Sequence, residues 1–348
     1  MSLCYLQLYR GYANNDELIV SGHVFSKYPT SQSLYDREGF RNLSSIFQLF
    51  SIKTISNIKI VFKMGNITSV TRTLKDGYFR FSIPLTASLP SGWHSYSVTV
   101  SDTVGNHTYD LTNEGEILVP YAGAYSIISD IDDTFLISYT SKFFKKLYVL
   151  FSKNVEARQP FEGVVKHYRL LSFAGKVSGI QQEENTFFYV SSSEWNLYQY
   201  IVRFTQFYGL PKAVFKLKRI KTGIMDFFRT GRGSHNHKQD KIAHIIEFYP
   251  HLKFILMGDD SQQDPIIYER ICKLFPENIR AVYIRQTRKD NSRAVEKIID
   301  NIQSMGVDTC YFLHSREAIE HSVRTRIITA EQLAEFEAKE HKNELTLL

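Results

Sequence analysis

Cysteine is scarce. Cys4, Cys272 and Cys310 are the whole complement of a 348-residue chain. Their wide spacing and odd number give neither a disulfide framework nor a CxxC metal pattern, and a reducing compartment is the simpler home. Long apolar runs are also missing. Nothing approaches the ~18 uninterrupted apolar residues of a membrane-spanning helix. Met1-Ser2-Leu3-Cys4-Tyr5 lacks the basic and apolar regions of a secretory leader. The expectation is a cytoplasmic protein without a membrane span. Internal repeats, low-complexity linkers and a disorder-type composition are absent too, which excludes solenoid and unfolded classes.

What is present suits a folded protein with more than one core. Hydrophobic residues make up 43% of the chain and aromatics 14%, with 25 Phe and 21 Tyr. The length exceeds the usual ~100 to 200 residues of one domain, so two cores are expected. A net charge of +6 favours anionic partners without choosing among lipid, nucleotide and nucleic acid.

The patterning changes near residue 121. Before it, Ile58, Ile60, Phe62 and Met64 alternate with Lys59 and Lys63, Phe79, Phe81 and Ile83 alternate with Arg80 and Ser82, and Tyr96, Val98 and Val100 repeat the period. Short alternating strands divided by Asp-Gly, Pro-Ser-Gly and Gly-Asn turns predict an antiparallel, Ig-like β-sandwich over residues 1–120. From 121 to 328, apolar strands at 124–129, 186–191, 213–218, 253–258, 279–285 and 309–314 alternate with amphipathic segments, among them Val164, Val165, Tyr168, Leu171 and Ile242, Ile245, Ile246. That alternation predicts an α/β fold, a parallel sheet with helices on both faces and ligands beyond the strands' carboxyl ends. Residues 329–348 open on the capping-box spacing Thr329 to Gln332 and read as a helical tail. The junction Pro120-Tyr121-Ala122-Gly123-Ala124 is short, so the two domains are expected to touch.

The chemistry-bearing residues fall at the ends of these predicted strands and helices. Ser129-Asp130-Ile131-Asp132-Asp133-Thr134 follows the apolar run from Ala124 to Ile128. Two acids one residue apart behind a buried strand suit metal-assisted phosphoryl transfer, one attacking phosphorus and the other handling protons. A strand from Thr186 ends in Ser191-Ser192-Ser193, Lys238 begins a helix, and Phe254 to Met257 run into Gly258-Asp259, with Asp264 beyond. Asp264 before Pro265 also reads as a helix N-cap, and Lys238 alone as a solvated charge. His235-Asn236-His237 is a poor zinc site and reads as a solvated loop, with His237 free to line the pocket. Asp133 and Asp260 read as supporting or solvated acids.

In this order the four segments resemble the haloacid-dehalogenase-like (HAD) phosphohydrolases. Tyr189-Val190-Ser191-Ser192-Ser193 with Trp195 and Leu197, His237-Lys238, and Gly258-Asp259 with Gln262, Asp264, Pro265 and Tyr268 resemble the actin-patch-type phosphatidate phosphatases. Tyr9-Arg10-Gly11-Tyr12, Asp76-Gly77-Tyr78-Phe79 and Pro90-Ser91-Gly92-Trp93-His94 resemble the β-domain of bacterial members. The resemblance implies a HAD-like Rossmannoid sheet with a small helical cap insertion. It implies a catalytic set of Asp130 as nucleophile, Asp132 as general acid and base, and Lys238. Ser191, Ser192 and Thr134 would bind or support the phosphate, with Mg²⁺ at Asp130, Asp132, Asp259 and Asp264. The chain departs from the family wording at Asp260 (usually Ser), Ser192 (Asn), Glu194 (Pro) and Gln263 (His), which bears on substrate preference more than on reaction type.

Lys142-Phe143-Phe144-Lys145-Lys146-Leu147-Tyr148-Val149-Leu150-Phe151 mixes rings and lysines as a membrane interface would. A second basic stretch runs from Lys216 to Lys221 and on through Phe227, Phe228, Arg229 and Arg232. The expected partner is phosphatidate or a related phospholipid at an anionic, cytoplasmic membrane surface. The same apolar residues could instead pack a small cap. No RNA-binding motif or long basic stripe appears, so nucleic acid is not expected. A phosphatase of a soluble phosphomonoester and a non-catalytic lipid- or protein-binding module remain the alternatives.

Overall fold

The structure is a computed structural model and describes residues 3–27, 52–121, 125–131, 159–175, 184–218, 235–287 and 292–346. The predicted cap insertion, with Asp132, Asp133, Thr134 and the Lys142 to Phe151 segment, lies outside them, as does the basic stretch from Arg219 to Arg232.

Period-two alternation builds the N-terminal part. Its strands are β1 (Tyr5–Ala13), β2 (Glu17–Lys27), β3 (Lys53–Thr54), β4 (Lys59–Met64), β5 (Ile67–Arg72), β6 (Tyr78–Pro84), β7 (Gly92–Val104) and β8 (His107–Val119). They join in one curled sheet of order β3-β2-β1-β8-β7-β4-β5, with β6 also on β2. A sandwich of two separate sheets was expected; a single continuous one is found. The reason lies in β1, whose register with β2 shifts between Tyr9 and Tyr12. Beyond that shift Gly11 and Tyr12 pair in parallel with Ile117 and Leu118 of β8, so one bulged strand serves both halves of the sheet. The alternating residues Ile60, Phe62, Phe79, Phe81, Tyr96, Val98 and Val100 are buried together in its concave core.

The second part contains β9 (Ser126–Asp130), α1 (Gln159–Ser172), β10 (Thr186–Glu194), α2 (Tyr198–Phe207), β11 (Ala213–Lys218), α3 (His235–Phe248) and β12 (Phe254–Asp259). It continues through α4 (Asp264–Leu274), β13 (Ile279–Arg285), α5 (Ser292–Ser304), β14 (Asp308–Phe312), α6 (Ser315–Arg324) and α7 (Ala330–Thr346). Its strands form a sheet of order β11-β10-β9-β12-β13-β14, parallel throughout. In order of appearance this is third, second, first, fourth, fifth, sixth, the doubly wound arrangement whose direction reverses between the first and fourth strands. Helices cover both faces: Val164, Val165, Tyr168 and Leu171 of α1 lie in one core, and Ile242, Ile245 and Ile246 of α3 with Ile267, Tyr268 and Ile271 of α4 in the other. At α7 the capping box closes as the spacing requires, with Gln332 N–H on Thr329 Oγ1 at 3.1 Å and Thr329 N–H on Gln332 Oε1 at 3.0 Å.

The two sheets meet through β1. Arg10 N–H donates to the Tyr198 hydroxyl at 2.9 Å and its guanidinium to Ala213 O at 3.1 Å. Tyr249 donates to Ala13 O at 3.0 Å, and the Tyr9 and Trp195 rings lie 3.9 Å apart. Backbone groups of a strand end are thereby satisfied by side chains of the other unit, as buried polar groups require.

Behind the parallel sheet a buried chain of polar groups links α1, α6 and β13: His167 Nε2 to Ser322 Oγ (2.9 Å), Ser322 Oγ to the Tyr283 hydroxyl (2.6 Å), and that hydroxyl to His321 Nδ1 (3.1 Å). Burial, reinforced by His321, holds His167 down to about 3. Unfolded, the ring titrates near ~6.5. Below that pH the unfolded chain takes up a proton that the folded chain refuses, so stability present above ~6.5 is lost as pH falls toward the folded value. Between pH ~6.5 and ~5 this one group is expected to remove about 2 kcal/mol. Denaturant titrations across that range should have a slope smaller by one proton in His167→Gln; an unchanged slope contradicts the assignment.

Candidate active site

The reversal point of a doubly wound sheet leaves a crevice at the carboxyl ends of the two diverging strands. Here those strands are β9 and β12, paired from Ser126 opposite Phe254 to Ser129 opposite Met257. Every residue of β9 is buried, which its apolar run anticipated, and the strand's last residue is Asp130. Asp259 ends β12 in the same way and is equally buried. The exit of β9 is held from below: the Ser129 hydroxyl donates to Asp130 O at 2.8 Å and stands 2.6 Å from the Tyr168 hydroxyl.

Lys238, in the first turns of α3 and 5% exposed, is no solvated charge. Its Nζ lies 3.0 Å from Asp130 Oδ1 and also pairs with Asp264 Oδ1. Asp264 is not the N-cap of α4: Gln263 holds that place, and Asp264 is the first helical residue before Pro265. The carboxylate is drawn inward because Lys238 is there to receive it. Gly258 makes room for it. A Cβ at that position would collide with Asp264 Oδ2 and lie 2.9 Å from the Tyr268 hydroxyl. Tyr268 in turn donates to Met257 O at 2.7 Å. Burial first, then the fields of Asp264 and Asp130, push its phenol well above the usual range.

Ser191 is buried near the end of β10, and its Oγ accepts Ser193 N–H at 2.8 Å. Ser192 is exposed. Asp259 Oδ1 accepts Ser261 N–H at 2.8 Å, closing the turn that leads to α4. Asp260 is buried but faces elsewhere, accepting from Thr287 N–H (2.7 Å), the Thr287 hydroxyl (2.5 Å) and the Tyr311 hydroxyl (2.7 Å), which ties the end of β12 to β13 and β14. The predicted loop at His235 to His237 is the first turn of α3, with His237 exposed. The structure thus brings Asp130, Asp259, Asp264, Lys238 and Ser191 to one crevice.

One residue that the sequence reading passed over, Lys241, also belongs here, and Lys216, noted there as the start of the second basic stretch, lies close to it. Lys241, three residues after Lys238 and so on the same helix face, donates to Ser191 O at 3.0 Å. That spacing was visible in the sequence. Lys216, opposite Val190 across the sheet, donates to the Tyr12 hydroxyl at 2.5 Å. Burial, with Arg80 and Lys241, pushes its ammonium well below the usual range. Only the docking of β1 against β11 and α3 creates that environment.

Among the described residues no three His, Cys, Asp or Glu side chains already converge as a metal site. The donor chemistry nevertheless fits a hard divalent cation: the acids are all-oxygen donors at adjoining strand and helix ends, and Asp264 Oδ2 is buried with no hydrogen-bond partner.

A doubly wound α/β sheet with buried acids and a lysine at its reversal point is the class that fold and site define. Residues 125–286 match the family model for phosphatidate phosphatase APP1, catalytic domain, so this part of the chain is similar to that family. Phosphatidate phosphatase APP1 of Saccharomyces cerevisiae is 26% identical over 294 residues, covering 79% of this chain and 46% of that protein. An uncharacterized protein of Schizosaccharomyces pombe is 25% identical over 182 residues, 52% of this chain and 28% of its own. The chain therefore spans less than half the length of these relatives. A carbohydrate acetylesterase from Xanthomonas citri overlays 93% of this chain and 75% of its own at 8% identity and a TM-score of 0.33, too low to bear on the fold.

Removing one partner of a buried ion pair leaves the other charge uncompensated, at about 3–5 kcal/mol. Lys238→Met is expected to cost that much in urea denaturation with chelator present. In Lys238→Met/Asp264→Asn the loss should be smaller than the sum of the two single losses. A loss below ~1 kcal/mol for Lys238→Met contradicts the pairing.

Proposed function

We propose that the chain is a Mg²⁺-dependent phosphohydrolase of the HAD type that removes the phosphate of phosphatidate, leaving diacylglycerol. The observation that carries this reading is the buried group of Asp130, Lys238 and Asp264 at the sheet's reversal point, inside the residues that match the family model.

Asp130 would attack phosphorus and form an aspartyl phosphate while the bond to the lipid alkoxide breaks. Asp132 would give that alkoxide its proton, then take one from the water that attacks the aspartyl phosphate, which releases phosphate and restores both carboxyl groups. Lys238 and the Ser191 hydroxyl would hold the phosphoryl oxygens. Thr134 and Ser192 come to the phosphate site only through the family resemblance. Mg²⁺, held by Asp130, Asp259 and Asp264 with Asp132, would neutralise charge on the phosphoryl group. Lys238 would hold Asp130 aimed along the crevice before substrate arrives, a preorganisation that costs nothing at the moment of reaction.

A lipid substrate requires access to a bilayer surface, and the Lys142 to Phe151 segment has the composition for it. No helix among the described residues is long and apolar enough to cross a membrane. Attachment to the cytoplasmic face would be peripheral, through that segment.

Phosphate release from phosphatidate in detergent micelles, beside a soluble aryl phosphate, tests the reading. The expectation is Mg²⁺-dependent release with preference for the micellar lipid, and a loss of roughly 10³-fold or more in Asp130→Asn with folding retained. Better turnover of the soluble ester would discard the lipid and keep the chemistry. No Asp130-dependent release from either would point to a binding module.

A further inference from the structure

β10 does not keep its register with β11 to the end. Val190 stands opposite Lys216, yet Glu194 stands opposite Lys218, so Ser191, Ser192 and Ser193 face one residue of the partner strand. A bulge of this kind takes backbone groups out of the ladder and re-aims the side chains within it, and bulges concentrate beside active sites. Ser191 is its first residue and is fully buried. A buried carbonyl at such a place needs a donor from outside the strand pair, and Lys241 Nζ supplies one at 3.0 Å. The Ser191 hydroxyl meanwhile accepts Ser193 N–H at 2.8 Å. The bulge is thus closed from within by its own side chain and braced from α3 by a cation.

The brace comes from the helix face that also carries Lys238, whose ammonium pairs with Asp130 and Asp264. One face of α3 therefore reaches both walls of the crevice, β9 with α4 on one side and β10 on the other. Lys216, the residue opposite Val190 where the regular pairing ends, is itself anchored by donating to the Tyr12 hydroxyl. Charge-assisted bonds to a backbone carbonyl are stronger than neutral ones, so a lysine there fixes the bulge more firmly than a neutral donor would.

We infer that Lys241 is a positioning residue for the phosphoryl group, its ammonium holding the Ser191 bulge in the shape that receives phosphoryl oxygens. The inference rests on the phosphohydrolase reading of the same crevice.

The test uses the full chain carrying Lys241→Met, Lys241→Gln or Lys241→Arg. Orthovanadate binding is measured by calorimetry, and KM and kcat with an aryl phosphate. Lys241→Met is expected to weaken vanadate binding and raise KM by about 10-fold or more, with a smaller fall in kcat. Lys241→Arg, which keeps a charged donor, should regain most of both. Lys241→Gln keeps a neutral donor, should fall between them, and serves in place of Lys241→Met should that variant fail to fold. Vanadate affinity and KM within about twofold of wild type in Lys241→Met, even with a lowered melting temperature, overturn the inference while leaving Asp130-dependent turnover to stand. If the wild type binds vanadate without turnover and Lys241→Met weakens that binding, the anion site stands and the catalytic reading falls. A wild-type chain that neither binds vanadate nor turns over overturns both.

Discussion

A lysine buried between two aspartates organises the crevice. The Lys238 ammonium lies against Asp130 and Asp264, and each of the three is at most 5% exposed. A buried charge is tolerated only when paired and hydrogen-bonded, so the three groups must arrive together. α3 must bring its first turns over the sheet's edge, α4 must begin at Asp264 rather than after it, and β12 must carry a glycine where that carboxylate turns in. The polar cluster, as much as the apolar cores, thus selects how the helices sit on the sheet.

The N-terminal sheet takes part in that positioning. β1 ends against β11 and α3, where the Tyr12 hydroxyl meets Lys216 and, at 3.0 Å, His244 Nε2. α3 therefore lies between two polar contacts, one to the N-terminal sheet and one to the crevice. This gives the antiparallel sheet a physical part in holding the site: it limits how far α3 can shift, and with α3 the two lysines that reach the crevice walls.

Much of this was legible in the chain. The parallel strands stood out because they are buried on both faces and read as short apolar runs, and an acid directly after such a run has few places to go but the strand's end. Asp130, Asp259 and Ser191 were readable on that ground. Asp264 was seen as important but given an N-cap's place, because local rules know Pro265 and do not know that Lys238 approaches from 26 residues upstream. The continuous N-terminal sheet was missed for a related reason: alternation predicts strands and their buried faces, but whether one bulged strand serves both halves is decided by pairing between Tyr12 and Leu118, far apart in sequence. Lys241 was open to helical spacing alone; Lys216 in its cluster was not, since its partners come from β1 and α3.

The central claim is that the carboxylate held by Lys238 is the group that takes the phosphoryl. Acid quenching of the protein during turnover of phosphatidate with Mg²⁺, followed by mass spectrometry of the peptide that spans β9, tests it directly. The account predicts a phosphoryl adduct on Asp130 that builds up within the first turnover and disappears once substrate is exhausted. Turnover with Asp130 unmodified, or with the adduct on another residue, would contradict it.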